Sequence, residues 1–378
     1  MILTEEQLLI QETARKFSQE RIAPNSAQWE RDCAFPPGLF RELGELGFMG
    51  MTVPTEWGGA GADHVAYALA LAEIAAGDGA LATVVSGHNS VGVMPILNYG
   101  TEAQKRRYVR DLATGAKLTA FALTEPQGGS DAASIRTRAV RKGDSYVLSG
   151  TKQFITSGAT ADIALVIAVT DASAGKRGIT AFIVDTKAKG YVVSRIEKKM
   201  GQNASDTCEI QLEDVVVPAE DRLGEEGQGY RIALANLEGG RIGIGSQCVG
   251  MARAALEIAV RYAHERRAFG KTIFEHQAVS FRLADMATSL EAAHQLTLHA
   301  AALKDAGQPC LTEASMAKLF ASEAAEKICS DALQTLGGAG YIQDFGVERI
   351  CRGVRGAKIY EGTNDIQRLV ISRSLTGA

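Results

Sequence analysis

The hydrophobic period of this 378-residue chain changes twice. From Thr4 to about Thr114 apolar residues recur at helical spacing. Thr4 with Gln7, and Thr101 with Gln104, have the form of capping boxes that start helices, and Pro24 is expected to end the first one. From about Lys117 to Pro218 the repeat shortens to strand-like runs at 118–123, 145–148, 163–169, 179–184, 191–196 and 208–217, divided by turn residues such as Lys142-Gly143-Asp144. After Gly227-Gln228-Gly229, Ala and Leu return at three- and four-residue spacing through Tyr262, then over 277–303 and 312–336. A strand presents every second side chain to one face and a helix every third or fourth, so no single element type satisfies both patterns. The expectation is an α+β chain, mostly α: a helical domain over 1–116, a compact β domain over 117–222 and a helical bundle over 223–378.

Composition narrows the function classes. A net charge of −4 gives no sign of a basic surface for nucleic acid or an anionic membrane. Residues 79–101 carry no charge and could span a bilayer by length. Ser86, His88, Asn89, Ser90, Pro95 and Asn98 interrupt them, so a buried core helix and loop are expected in a soluble protein. The acidic start, Met1 to Gln7, lacks a basic n-region and a long apolar core, and reads as the beginning of a folded domain and not as a secretion signal. A bacterial cytoplasmic location is expected, or the mitochondrial matrix for a processed eukaryotic form. The six cysteines are scattered without paired spacing, as small apolar core residues in a reducing compartment would be. No histidine motif with metal-ligand spacing occurs, and no metal site is expected.

Forty glycines produce several decoys. Gly270-Lys271-Thr272 has Glu265 where a phosphate loop needs its first glycine, and it follows a helix. Gly227-Gln228-Gly229 and Gly243-Ile244-Gly245 lack the third glycine of a dinucleotide fingerprint. Two other segments keep chemical content. In Phe121 to Asp131 a strand ends at Thr124, Pro126 turns the chain, and Gly128 and Gly129 free backbone amides beside the Ser130 hydroxyl. Such amides can cradle a pyrophosphate, and they can equally serve an ordinary strand connection. In Tyr360-Glu361-Gly362-Thr363 a carboxylate lies between an aromatic ring and a glycine. Lost solvation there would raise its pKa and make it a base for a weakly acidic C–H. The alternative is that Glu361 caps the final helix and Thr363 donates a local hydrogen bond.

Five separated motifs, in order along essentially the whole chain, resemble the acyl-CoA dehydrogenases. They are Thr124-Glu125-Pro126 leading to Gly129-Ser130-Asp131, Lys152 to Gly158, Glu265 to Lys271 running into His276-Gln277, Gln334 to Gly340, and Tyr360 to Thr363. Gly239-Gly240-Arg241-Ile242-Gly243 is similar to the short-chain, or butyryl-CoA, branch. The resemblance implies a central β-barrel or sandwich domain, a C-terminal four-helix bundle, and FAD between them. Phe121, Leu123 and Thr124 would contact the isoalloxazine ring, and Gly129 and Ser130 the pyrophosphate, with Ser130 also touching the thioester. Phe154 and Thr156 would lie against the flavin's other face, and Thr363 and Asp365 would close on the cofactor. Arg266, Phe269, Gln277, Gln334, Gly337 and Gly338 would bind the FAD of a neighbouring subunit in a homotetramer. Glu238, Arg241, Tyr360 and Gly362 would line the acyl-CoA site, although Arg241 read alone is a helix-surface charge.

The implied reaction is α,β-dehydrogenation of a short- to medium-chain acyl-CoA, straight or branched, to trans-2-enoyl-CoA. Glu361 would take the α-proton, flavin N5 would accept the β-hydride, and an electron-transfer flavoprotein would reoxidise the flavin. Some family members carry the base at the position of Gly240, which cannot serve, and Glu238 would face elsewhere on its helix. Phe154 stands where many members have Trp, Gln127 where a small residue is common, and Asn364-Asp365 differs from the commoner ending. Two rival readings are an oxidase-like enzyme using oxygen and a flavin-containing, nucleic-acid-associated relative; the charge balance argues against the second.

Overall fold

The computed structural model describes residues 1–376. A helical run comes first: α1 (Glu5–Phe17), α2 (Ala23–Asp32), α3 (Leu39–Glu45), α4 (His64–Gly77), α5 (Gly79–Gly87), α6 (Met94–Tyr99) and α7 (Glu102–Ala113). Strands follow: β1 (Thr119–Ala122), β2 (Arg138–Lys142), β3 (Ser145–Thr156), β4 (Ile163–Val169), β5 (Ile179–Asp185), β6 (Tyr191–Ile196), β7 (Thr207–Pro218) and β8 (Arg222–Leu223). The chain then returns to helix with α8 (Gly229–Ala235) and α9 (Leu237–Glu265). A small hairpin, β9 (Arg267–Ala268) and β10 (Lys271–Thr272), precedes α10 (Gln277–Asp305) and α11 (Leu311–Leu336). Short α12 (Gly338–Tyr341) and α13 (Val347–Val354) lead to the last helix, α14 (Asn364–Thr376).

Both capping boxes form, at Thr4–Gln7 and Thr101–Gln104, and satisfy otherwise orphaned N–H donors at the starts of α1 and α7. Pro24 does not end the first helix. A π turn over Ser18–Ile22 joins α1 to α2 and leaves Pro24 in the first turn of α2, where its missing N–H breaks no intrahelical bond. The uncharged segment folds as α5, a π turn over His88–Val93, and α6. Gly79–Tyr99 is long and apolar enough to cross a membrane, yet 78% of its apolar window is buried inside the fold. A helix enclosed by protein on all sides needs the same apolar surface as one enclosed by lipid.

Glu73 on α4 shows how the helices are tied. Its buried carboxylate accepts from Arg15 of α1 (3.0 Å), Gln11 of α1 (3.0 Å) and Arg253 of α9 (2.8 Å). Two charged donors and an amide offset the cost of burying the anion and fix three helices to one point.

The strands form one mixed sheet in the order β6-β7-β3-β2-β4-β5-β8, with β1 parallel to β4. The run expected at 145–148 continues to Thr156, and β2 and β8 escape the periodicity altogether. β2 buries only Ala139, so it leaves no apolar run to find, and β8 is two residues long. Tyr146 of β3 and Phe182 of β5 bring their rings to 4.9 Å, although β2 and β4 lie between them in the sheet order. Three strand spacings would separate them by about 14 Å in a flat sheet, so this one curls on itself.

In the C-terminal run α9 packs on α4, α10 and α11, and α14 packs on α11. Ala252, Ala255, Ala259 and Ala263 of α9, with Ala314, Ala317, Ala321 and Ala325 of α11, are buried. Small side chains let these helices approach closely. Four cysteines are buried, whereas Cys33 is exposed at the left-handed C-cap of α2 and is not a core residue.

Candidate active site

The turn before α14 is left-handed at two successive positions, Glu361 (φ 52°) and Gly362 (φ 82°). Glycine adopts this conformation freely, but for glutamate it costs roughly 1–2 kcal/mol, so the surroundings must hold it. Two buried side chains do so. Gln367 Nε2 donates to the carbonyl oxygens of Glu361 (3.1 Å) and Gly362 (2.9 Å), and Lys318 Nζ donates to Gly362 O (2.8 Å) and Asn364 Oδ1 (3.0 Å). Among the described residues the N–H groups of Glu361 and Gly362 donate to no protein acceptor. On the other side, the Tyr360 hydroxyl donates to Gln247 Oε1 (3.0 Å) and accepts from Gln202 Nε2 (3.1 Å). Thr363 Oγ1 accepts the Ile366 N–H at 3.3 Å, so Thr363 caps α14 as an acceptor. The alternative in which Glu361 is the cap and Thr363 the donor is corrected on both counts.

Although Glu361 as a residue is half-buried, its carboxyl group is enclosed. Burial raises its pKa to about 7, against the downward pull of the Arg241 guanidinium and the Lys318 ammonium. Room for the carboxyl comes from Gly240 on α9, where a Cβ would lie 2.7 Å from Glu361 Oε1. Gly240→Ala should therefore push the carboxylate aside. Overpacking of this kind costs about 1–3 kcal/mol, which would lower turnover by roughly 5- to 160-fold where it falls on the transition state. Initial rates, read beside the urea unfolding midpoint, check this expectation.

Arg241 is buried and is not a helix-surface charge. Its Nη1 donates to Ser315 Oγ at 3.2 Å, while its buried Nε has no partner among the described residues. An orphan donor beside a carboxylate fits a site that a ligand completes. Glu238 turns away: its Oε2 accepts from Lys304 Nζ (3.4 Å) and from the Cys310 thiol (3.6 Å), and the structure does not bring it to Glu361.

The other candidate surface is built on β1 and β3. Gln153 N–H donates to Thr124 O at 2.9 Å, which sets the 121–131 and 152–158 segments side by side. Beneath them lies a buried ion pair, Glu125 Oε1 to Lys152 Nζ at 2.8 Å. Glu125 also accepts from the backbone N–H of Arg136 (2.6 Å) and Thr137 (3.0 Å) and from Gln127 Nε2 (2.6 Å). Burial alone would raise the Glu125 carboxyl, but Lys152 and these donors hold it below the usual carboxylate range. On this base Phe121, Leu123, Thr124 and Thr156 are half-buried, and Gly129 and Ser130 are exposed. Phe154 is 59% exposed, with φ 58° at a bulge in β3. The N–H groups of Gly129 and Ser130 and the hydroxyls of Thr124 and Thr156 have no protein partner among the described residues. A bare aromatic face beside free donors fits a flat flavin ring and a pyrophosphate.

A third group lies at one end of the bundle. Arg266, Phe269 and Gln277 are on or beside the β9–β10 hairpin and the start of α10, while Gln334 lies in the last turn of α11, Gly337 caps it and Gly338 opens α12. An Arg282 to Thr335 bond (3.4 Å) joins the two sides. All six residues are exposed, and Phe269 is 96% so with φ 52°. No hydrogen bond among the described residues links this group to the β1–β3 surface. Asp365 likewise stands apart, exposed and paired with Arg368 at 3.5 Å.

Sequence reasoning missed Lys318, Asn364, Gln367 and the Glu125–Lys152 pair. One signal existed for Lys318. Ala314, Lys318, Ser322 and Ala325 follow the buried stripe of α11, so a lysine occupies a core position of a helix.

Family models described as the N-terminal, middle and C-terminal domains of acyl-CoA dehydrogenase match residues 4–116, 120–215 and 227–376. An acyl-CoA dehydrogenase of Bacillus subtilis is 48% identical over 377 residues, covering 100% of both chains. The caffeyl-CoA reductase-Etf complex subunit CarC of Acetobacterium woodii is 43% identical, covering 99% of both. Among solved structures, butyryl-CoA dehydrogenase from Megasphaera elsdenii superposes with a TM-score of 0.97 at 40% identity, over 100% of this chain and 99% of that one. A glutaryl-CoA dehydrogenase from Mycobacterium smegmatis in complex with FADH2 gives 0.94 at 34% identity, over 100% and 96%.

Proposed function

The chain belongs to the acyl-CoA dehydrogenase family of FAD-dependent oxidoreductases, and on that premise we propose that it desaturates a short- to medium-chain acyl-CoA, straight or branched, to the trans-2-enoyl-CoA. The observation that carries this reading is the enclosed Glu361 carboxyl, with a pKa raised to about 7 and a free backbone N–H on the same residue. Bound FAD supplies the acceptor for the β-hydride. Glu361 takes the α-proton, and its near-neutral pKa suits a base working at physiological pH. As that C–H bond breaks, negative charge gathers on the thioester oxygen, and the free Glu361 N–H is available to stabilise it. The orphan Nε of Arg241 offers a further donor to the acyl-CoA, and Tyr360, Gly362 and Ser130 complete its contacts.

The likeness to the butyryl-CoA dehydrogenase of Megasphaera elsdenii supports a short acyl chain. The Etf complex of the Acetobacterium woodii relative supports an electron-transfer flavoprotein as the physiological acceptor. The exposed set Arg266, Phe269, Gln277 and Gln334 to Gly338 supports a homotetramer in which each subunit completes a neighbour's FAD site. An anaerobic titration of the purified yellow protein with straight and branched acyl-CoAs from C4 upward tests the reading. Bleaching of the flavin band is expected with a short-chain member; FAD-loaded protein that none of them bleaches would overturn it.

A further inference from the structure

Lys318 is wholly buried in the middle of α11, and its ammonium group has two acceptors, Gly362 O and Asn364 Oδ1. Neither is a carboxylate, so the positive charge is not neutralised by a direct ion pair. Burying a lysine without a counter-charge is costly, and such residues are rare unless something nearby needs the charge. The unpaired anion of the neighbourhood is Glu361, on the residue preceding one of the two acceptors. The contact is also built from both sides. Asn364 is itself buried, and it exchanges hydrogen bonds with Ser322, one helical turn beyond Lys318. α11 therefore presents a Lys-Ser pair that fixes both the carbonyl and the first helical residue after the left-handed turn.

We infer that Lys318 is a positioning residue for the base: it ties down the strained Glu361–Gly362 turn through the Gly362 carbonyl, and its charge keeps Glu361 ionised. The first role follows from geometry. A Gly362 carbonyl drawn into the bundle by Lys318 and Gln367 helps hold the Glu361 backbone in its left-handed conformation, with its N–H left free. The second follows from charge. Facing the Glu361 carboxyl are Arg241 from α9, Lys318 from α11 and Tyr67 from α4, and facing Lys318 are Cys248 and Arg241 of α9. Arg241 and Lys318 both hold the Glu361 pKa down against burial. Burial in turn lowers Lys318 to about 8, so it remains largely protonated at neutral pH.

The inference rests on Glu361 being the base, and the test separates the two. Lys318→Met removes charge and both hydrogen bonds, while Lys318→Gln keeps a donor for Gly362 O and loses only the charge. Both should raise the midpoint at which flavin-reduction rate appears with pH by about one unit, a loss of roughly fivefold at pH 7. Lys318→Met should in addition lower the plateau rate above the midpoint, which Lys318→Gln should largely restore. The Glu361 carboxyl band, isolated by infrared difference against Glu361→Gln, should titrate with the same upward shift in FAD-loaded protein without substrate. Folded, FAD-bound variants whose infrared midpoint stays at the wild-type value would overturn the inference, whatever the enzyme's substrate. Failure of both variants to fold would reduce Lys318 to a packing role and also count against it. An unreactive wild type with shifted infrared midpoints would instead sink the dehydrogenase reading.

Discussion

Replacing Glu361 by glutamine is expected to lower turnover by at least about 10²–10⁴-fold, the contribution typical of a positioned general base. Glutamine is nearly isosteric, and the turn is held through the backbone carbonyls by Gln367 and Lys318, so the fold and FAD binding should survive. Loss should therefore appear in kcat with bound flavin unchanged. The wild-type rate should also carry the signature of the group. Only the ionised carboxylate accepts a proton, and burial has raised its pKa to about 7, so activity should be low in acid and rise through neutrality. Neither of the two positions weighed as alternatives can substitute: Gly240 has no side chain, and Glu238 is turned toward Lys304 and Cys310. A Glu361→Gln enzyme with near-normal turnover, or a wild-type rate flat from about pH 6 to 8, would remove Glu361 from the chemistry.

The second large effect concerns stability. Lys152→Met should destabilise the protein by about 3–5 kcal/mol, the usual cost of leaving one partner of a buried ion pair uncompensated. The expected value lies toward the lower end, because Glu125 keeps the N–H groups of Arg136 and Thr137 and the Gln127 amide. Lys152 Nζ also donates to Leu123 O at 3.0 Å, so the substitution should loosen the 121–131 segment and weaken FAD retention. Urea unfolding of FAD-loaded protein measures the first effect and fluorescence of released flavin the second. A Glu125→Gln/Lys152→Met double variant should be less destabilised than Lys152→Met alone, since no charge is then stranded. The sign with pH is fixed by the direction of the Glu125 shift. Its folded pKa lies below the ordinary value, so its contribution is present above the unfolded pKa and is lost as pH falls through the folded one. An unchanged urea midpoint for Lys152→Met would show that the pair is dispensable.

The departures noted in the sequence acquire physical content in the fold. Gln127, where a small residue is common, donates to the buried Glu125 carboxylate and steadies the loop. Asn364 is the side-chain acceptor for Lys318. Phe154 leaves its ring open on the surface where a flavin is expected. Each changes how a chemical group is held without removing one.

The sequence by itself determined the order of helix, sheet and helix, because the helical stretches are long while the apolar runs between them are short and bounded by turn residues. It also determined both capping boxes, whose donors and acceptors lie three residues apart, and it singled out Glu361, whereas Gly240 entered only through the family resemblance. It did not reveal β2, since a strand with one buried residue leaves no hydrophobic trace. Nor did it reveal the π turn that carries the helix past Pro24, because that depends on where α1 and α2 must pack. Tertiary structure alone decided the environment of the Glu361 carboxyl. Lys318 is 43 positions from Glu361 and Arg241 is 120 away in sequence, yet both charges act on its carboxyl. A pKa is set by what surrounds a group in space, and burial, the largest cause here, exists only once α9, α11 and α14 have closed around the turn.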